Sequence, residues 1–150
     1  VVKSDRDEIV ELMVRYGASI DTRDFALLRT CFTPDAVVSY ASFAGEELRG
    51  ADALDAFLRR SAGTLDATHH MFLNFTVDAD GDTGRFTCAV QAQHIVYNTP
   101  EGDIFTVGGN YANDVVRTPE GWRMTRLDFK PIWTAGNPAL VEHEPVHSAA

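Results

Sequence analysis

Apolar side chains recur at Ile9, Met13, Tyr16 and Ile20, the spacing that lines one face of a helix. Ser4 followed by Asp7 has the form of a capping box with Asp in place of Glu, so the pattern predicts a first helix over residues 5–20. Asp24 can cap a second helix carrying Phe25, Leu27, Leu28, Cys31 and Phe32, ended by Pro34. Val37 to Ser42 reads as a short strand, Phe43 to Gly45 as a turn, and Leu48 as the centre of a weak strand. After Gly50, residues 51–62 place Leu54, Phe57 and Leu58 on one side of a third helix, stopped by Gly63.

From residue 68 the period changes to two. Thr68 to Val77 is strand-like and Asp80-Gly-Asp82 is a turn. Across Thr83 to Tyr97, Phe86, Cys88, Val90, Ala92, His94 and Val96 alternate with Arg85, Thr87, Ala89, Gln91, Gln93 and Ile95. Ile104 to Arg117 forms another long strand with Phe105, Val107, Tyr111 and Val115 on one face, and a last strand runs from Trp122 to Trp133. Helices first and antiparallel strands last is the α+β order. Long, strongly twisted strands curl, so the prediction is a cone-shaped α+β barrel with three N-terminal helices on a curved, mostly antiparallel sheet. Its apolar interior suits a small molecule. Residues 1–137 are expected to form this domain, and 138–150, with Pro138 and Pro145, a poorly ordered tail.

The 150 residues fit one domain. Thirteen basic against 22 acidic side chains give a net charge of −9, which repels nucleic-acid phosphates and anionic lipid heads. Nowhere do 18 apolar residues run together, and the N-terminus turns charged after two residues, so neither a membrane span nor a signal peptide is expected. Cys31 and Cys88 sit in apolar sequence away from metal-finger spacing and read as reduced core thiols, consistent with the cytoplasm.

Polar residues on the apolar faces are where chemistry can arise. His94 lies in an otherwise apolar alternating set, and the parity that holds His70 also holds Phe72 and Asn74, so two strands would each aim a histidine at one cavity. His69 must face the other way. Asp21 closes the first helix, where exposed carbonyls disfavour a carboxylate by about 0.3–1 kcal/mol; it is either part of a site or the start of the turn Asp21-Thr-Arg-Asp24. Tyr16, on the buried face one turn earlier, is either an ordinary core tyrosine or a hydrogen-bond donor to a ligand. No phosphate-binding glycine pattern, nucleophile elbow or His-Glu-x-x-His motif is present, so no cofactor is expected. A metal held by His70, His94 and Asp21 is conceivable but has no short fixed spacing behind it, and no metal is expected.

Ile9-Val-Glu-Leu-Met-Val-Arg-Tyr16, Ile20-Asp21-Thr-Arg-Asp24, Cys31-Phe-Thr-Pro-Asp-Ala36, Gly50-Ala-Asp-Ala-Leu54, Thr68-His-His70 with Asn74, Gly109-Asn-Tyr111, Gly121-Trp-Arg123 and Gly136-Asn-Pro138 together resemble the SnoaL-like family of the nuclear-transport-factor-two-like superfamily, over about residues 5–138. The chain looks most like the branch that holds bile-acid dehydratase, scytalone dehydratase and hexachlorocyclohexane dehydrochlorinase. That resemblance implies a His-Asp dyad, with Asp21 and His70 in its two places, and it puts Tyr16 where the bile-acid dehydratases carry a tyrosine and the dehydrochlorinase a lysine. His94 resembles a second pocket histidine of scytalone dehydratase by strand order. The implied function is a cofactor-independent dehydratase-like lyase acting on a small hydroxylated, largely apolar cyclic or polyketide-like molecule. His70, Asp21 and Tyr16 would be catalytic, and His94, Asn74, Phe72 and Tyr111 would contact substrate. The alternatives are an isomerase or cyclase using the same base, a non-catalytic binding domain, or the small subunit of a ring-hydroxylating oxygenase. The fold further implies a homodimer, or a trimer, paired through the exposed face of the sheet.

Overall fold

The computed structural model describes residues 1–41, 45 and 47–141. The predicted turn at Phe43 to Gly45 and the tail beyond Val141 fall, wholly or mostly, outside these described residues.

Helix α1 (Asp5–Asp21) starts at the predicted capping box. Ser4 Oγ accepts from the Asp7 N–H at 3.2 Å, and the Asp7 carboxylate accepts from the Ser4 N–H at 3.3 Å. Its buried stripe, Ile9, Leu12, Met13, Tyr16 and Ile20, lies against the sheet. Helix α2 (Phe25–Arg29) is capped by Asp24, whose carboxylate accepts from the Leu27 N–H at 2.9 Å. It ends sooner than predicted, because Phe32 begins strand β1 (Phe32–Ser39) and is buried beside Met124. Pro34, expected to stop the helix, sits instead in the irregular stretch of β1 between Phe32 and Val37, where its missing N–H breaks no ladder. The two-residue strand β2 (Leu48–Arg49) leads through Gly50, at φ 88°, into helix α3 (Ala51–Gly63).

Four long strands follow: β3 (Ala67–Asp80), β4 (Thr83–Ile95), β5 (Ile104–Thr118) and β6 (Gly121–Gly136). They form a meander, and β1 joins β6 in parallel, which gives one six-stranded sheet in the order β2-β1-β6-β5-β4-β3. Register shifts at Leu73/Thr76, Gly108/Gly109 and Asp114/Val115 mark bulges of the kind that bend strands. Three helices thus pack on one face of a curved, mostly antiparallel sheet, the α+β cone that the sequence predicts. The inner face carries the alternating set: Phe86, Cys88, Val90 and Ala92 of β4, with Phe105, Val107, Tyr111 and Val115 of β5, are all buried. Pro138–Leu140 form a 3-10 turn that buries Leu140.

Candidate active site

The end of α1 meets the start of β3. Close approach is possible because residue 17 is glycine: a Cβ there would lie 2.5 Å from the Phe72 ring and 3.3 Å from His70 Cβ. The approach brings Asp21 against His70. Asp21 Oδ1 lies 2.7 Å from His70 Nδ1, and Oδ2 accepts from the His70 backbone N–H at 2.9 Å. An ionised carboxylate only accepts, so Nδ1 carries a proton, and in the neutral imidazole the lone pair falls on Nε2. Burial works against the Asp21 charge, but the bonds and charge of His70 and a bond from Thr68 outweigh it and hold the carboxyl below its ordinary range. Thr68 donates to Oδ1 at 2.9 Å, and Arg23 donates to Thr68 Oγ1 at 2.9 Å.

His94 reaches the same place from β4, with its ring centre 6.4 Å from that of His70. His94 Nδ1 lies 3.2 Å from the Phe105 carbonyl, which can only accept, so here too the proton is on Nδ1. Burial first, and then the charge of His70, push this imidazole down to about 4 against the opposing effects of Phe105 and Asp21. It is neutral at physiological pH and presents an acceptor on Nε2.

A cluster of phenols, Tyr16, Tyr40 and Tyr111, lines the same cavity as the histidines. The hydroxyls of Tyr16 and Tyr40 are 2.6 Å apart, and the Tyr111 ring packs edge-on to Tyr16 at 6.1 Å. Burial raises all three phenols, well above the ordinary value for Tyr16 and Tyr40, so they act as neutral donors.

These groups border a cavity of about 130 Å³. Helix α3 supplies one wall with Phe57, Leu58, Ser61 and Ala62, the sheet supplies Val90, Ala92, Val107 and Phe129, and Leu65 and Val141 complete the rim. His70, His94, Tyr16 and Tyr111 therefore share one cavity lining, while Asp21 stands behind His70. Phe72 lies beside the lining, stacked at 6.1 Å on His70 and in ring contact with Tyr16 and Tyr111.

Asn74 requires a correction. It is the exposed residue of the β3 bulge, at φ 56°, and the bulge shifts the parity so that Phe75 and Val77 turn inward in its place. It does not border the cavity. Tyr40, Thr68 and Arg23 were not foreseen. Alternation with Ala36 and Val38 is a signal that could have found Tyr40, and parity with His70 could have found Thr68; nothing local marks Arg23. Among the described residues no three His, Cys, Asp or Glu side chains are placed to hold a metal. Nor is any helix among them long and apolar enough to cross a membrane.

Comparison with known proteins adds four likenesses. The profile of the SnoaL-like domain matches residues 3–128. An uncharacterized protein of Mycobacterium tuberculosis is 37% identical over 125 residues, 82% of each chain. Among solved structures, the Kfla4162 protein of Kribbella flavida superposes with a TM-score of 0.84 at 30% identity, covering 93% of this chain and 97% of that one. A protein of Novosphingobium aromaticivorans named as a candidate scytalone dehydratase does so with a TM-score of 0.78 at 25% identity, over 88% and 87% of the two chains.

Proposed function

From a chain that belongs to the SnoaL-like domain family, within the nuclear-transport-factor-two-like superfamily, we propose a cofactor-independent dehydratase-like lyase in which His70 is the general base. The observation that carries the reading is the 2.7 Å contact of Asp21 with His70 Nδ1, which leaves the Nε2 lone pair beside an apolar cavity. An apolar engineered cavity of about 150 Å³ admits benzene, so a space of about 130 Å³ is on the scale of a single small ring. Among the described residues no Lys or Arg side chain borders it, which favours a neutral substrate.

In the proposed reaction Nε2 of His70 takes a proton from a carbon next to an electron-withdrawing group, and the C–H electron pair becomes the new carbon–carbon double bond. The C–O bond on the neighbouring carbon breaks, and the departing oxygen leaves as water with a proton returned from the imidazolium. Asp21 stabilises the imidazolium while it exists. Tyr16 or Tyr40 donates to the oxygen on which charge develops. His94, neutral and with its proton committed to Phe105, accepts a bond from a substrate hydroxyl. An isomerase would share the first step and return the proton to another carbon.

The same reading includes a homodimer. Met71 and Trp133, 37% and 44% exposed, stand at the two ends of one row across the outer face, Met71-Gln91-Gly108-Trp133. Sedimentation of the parent and Trp133→Glu tests it: a monomeric variant from a dimeric parent is expected, and a monomeric parent ends the idea.

Screening hydroxylated monocyclic carbonyl compounds for release of water, with His70→Ala as the comparison, tests the function. The parent is expected to turn over at least one compound about 10²–10⁴-fold faster than the variant. Equal rates would remove His70 from the role of base.

A further inference from the structure

Asp21 serves more than one donor. Its Oδ1 accepts from His70 Nδ1 at 2.7 Å and from the Thr68 hydroxyl at 2.9 Å. Thr68 is buried, and its oxygen in turn accepts from Arg23 Nη1 at 2.9 Å. A guanidinium only donates, so the Thr68 proton is left one direction, toward Asp21. Arg23 is held there with care. Its backbone sits at φ 61°, a conformation uncommon outside glycine, and its guanidinium also donates to the Ile20 carbonyl at 2.7 Å and the Leu65 carbonyl at 3.4 Å. Among the described residues it forms no ion pair, and its half-buried guanidinium reaches Asp21 through the Thr68 hydroxyl.

A carboxylate against an imidazole has two opposed effects. It fixes the tautomer that a base needs, and it draws in the second proton that would abolish the base. The groups that share the space around His70 are Asp21 and Arg23 from the end of α1 and the turn after it, His94 from β4, and the phenols of Tyr16, Tyr40 and Tyr111. Of these only Asp21 and Arg23 are charged at neutral pH. A donor on Oδ1 spreads the carboxylate charge, and a cation behind that donor disfavours a second positive charge beside it.

We propose that Arg23 and Thr68 are positioning residues that act through Asp21 to lessen the hold of its carboxylate on a second proton at the His70 imidazole. Thr68 borders the cavity, but its hydroxyl is committed to Asp21, and neither residue handles a substrate proton. The inference rests on His70 as the base and is tested without substrate.

Imidazole nitrogens of the ¹⁵N-labelled protein are titrated by NMR in the parent, Thr68→Val, Thr68→Ser, Arg23→Gln and Arg23→Lys. Thr68→Val and Arg23→Gln should raise the proton affinity of His70 about three- to tenfold, because each removes one donor or charge acting on Asp21. Thr68→Ser and Arg23→Lys should titrate within twofold of the parent. Unchanged titration in folded Arg23→Gln overturns the proposal, and that variant decides alone if Thr68→Val does not fold. Equal shifts in the charge-keeping and charge-removing variants also overturn it. On any compound the parent turns over, the acidic limb of kcat/KM should move to higher pH in the two disabling variants, with the alkaline plateau kept. Turnover unchanged in His70→Ala would refute the base whatever the titrations give, so the two failures are separable.

Discussion

Asp21→Asn separates two tasks that one side chain performs. In the parent, Oδ2 accepts from the His70 backbone N–H at 2.9 Å while Oδ1 accepts from Nδ1–H at 2.7 Å. Asparagine fills the same volume with one oxygen and one NH₂. The backbone N–H can only donate and claims the oxygen, so the amide nitrogen takes the place of Oδ1, faces Nδ1 and donates to it, and the Thr68 hydroxyl loses its acceptor. The imidazole must then carry its proton on Nε2, and the lone pair disappears from the cavity. Losing a positioned base slows turnover about 10²–10⁴-fold, which is about 3–5.5 kcal/mol in the barrier. Stability should change far less, by about 1 kcal/mol at neutral pH, since the backbone bond survives. The sign with pH follows from the Asp21 carboxyl being lowered from 3.8: its contribution is full above that value and is lost as pH falls through the lower folded-state value. The stability gap between parent and variant should therefore close in acid. Turnover, urea unfolding at two pH values and ¹⁵N NMR of His70 on one preparation make the test. A switched tautomer with a rate within threefold of the parent would refute the argument, as would an unswitched tautomer with the rate lost.

Other substitutions probe the remaining parts. Tyr40→Phe leaves Tyr16 without its 2.6 Å partner and should lower kcat about 10²–10³-fold if the phenol pair faces the leaving oxygen, against about 1 kcal/mol of stability; unchanged kcat with a lowered Tm would make the pair structural. Gly17→Ala improves helix propensity by about 1 kcal/mol but drives a methyl to 2.5 Å from the Phe72 ring stacked on His70. Its rate should fall at least about tenfold, out of proportion to any change in Tm, and a parent-like rate would show that the contact relaxes freely. Because His94 is held down to about 4 from 6.5, the parent should lose up to about 3 kcal/mol as pH falls from 6.5 through 4, a loss absent in His94→Gln. Parallel curves for the two proteins between pH 6.5 and 4.5 would count against a buried neutral imidazole.

How far the sequence reached depended on how local the signal was. The capping box placed α1, and with it Asp21 at the helix end, because Ser4 and Asp7 are three residues apart. Strict alternation placed His70 and His94 on the inner faces of neighbouring strands. Parity failed at Asn74, because a bulge inserts a residue without an obvious mark beforehand. Helix α2 was drawn too long since Cys31 and Phe32 are as apolar in a strand as in a helix, and only the pairing of Phe32 with Met124 decides. Arg23 was invisible for a different reason: its partner Thr68 is 45 residues away, and the bond exists only once α1 lies on β3.

Helix α3 borders the cavity with Phe57, Leu58, Ser61 and Ala62, yet the dyad, its relay, the second histidine and the three phenols all come from other elements. Shape and reactivity are thereby written on different stretches of chain. Changes at these four positions can enlarge, narrow or roughen the wall that a ligand meets without rebuilding the proton-transfer machinery, so new substrates can be acquired one side chain at a time. A library confined to residues 57, 58, 61 and 62 is the natural starting point for redirecting this scaffold, and a single helix becomes its unit of evolutionary change.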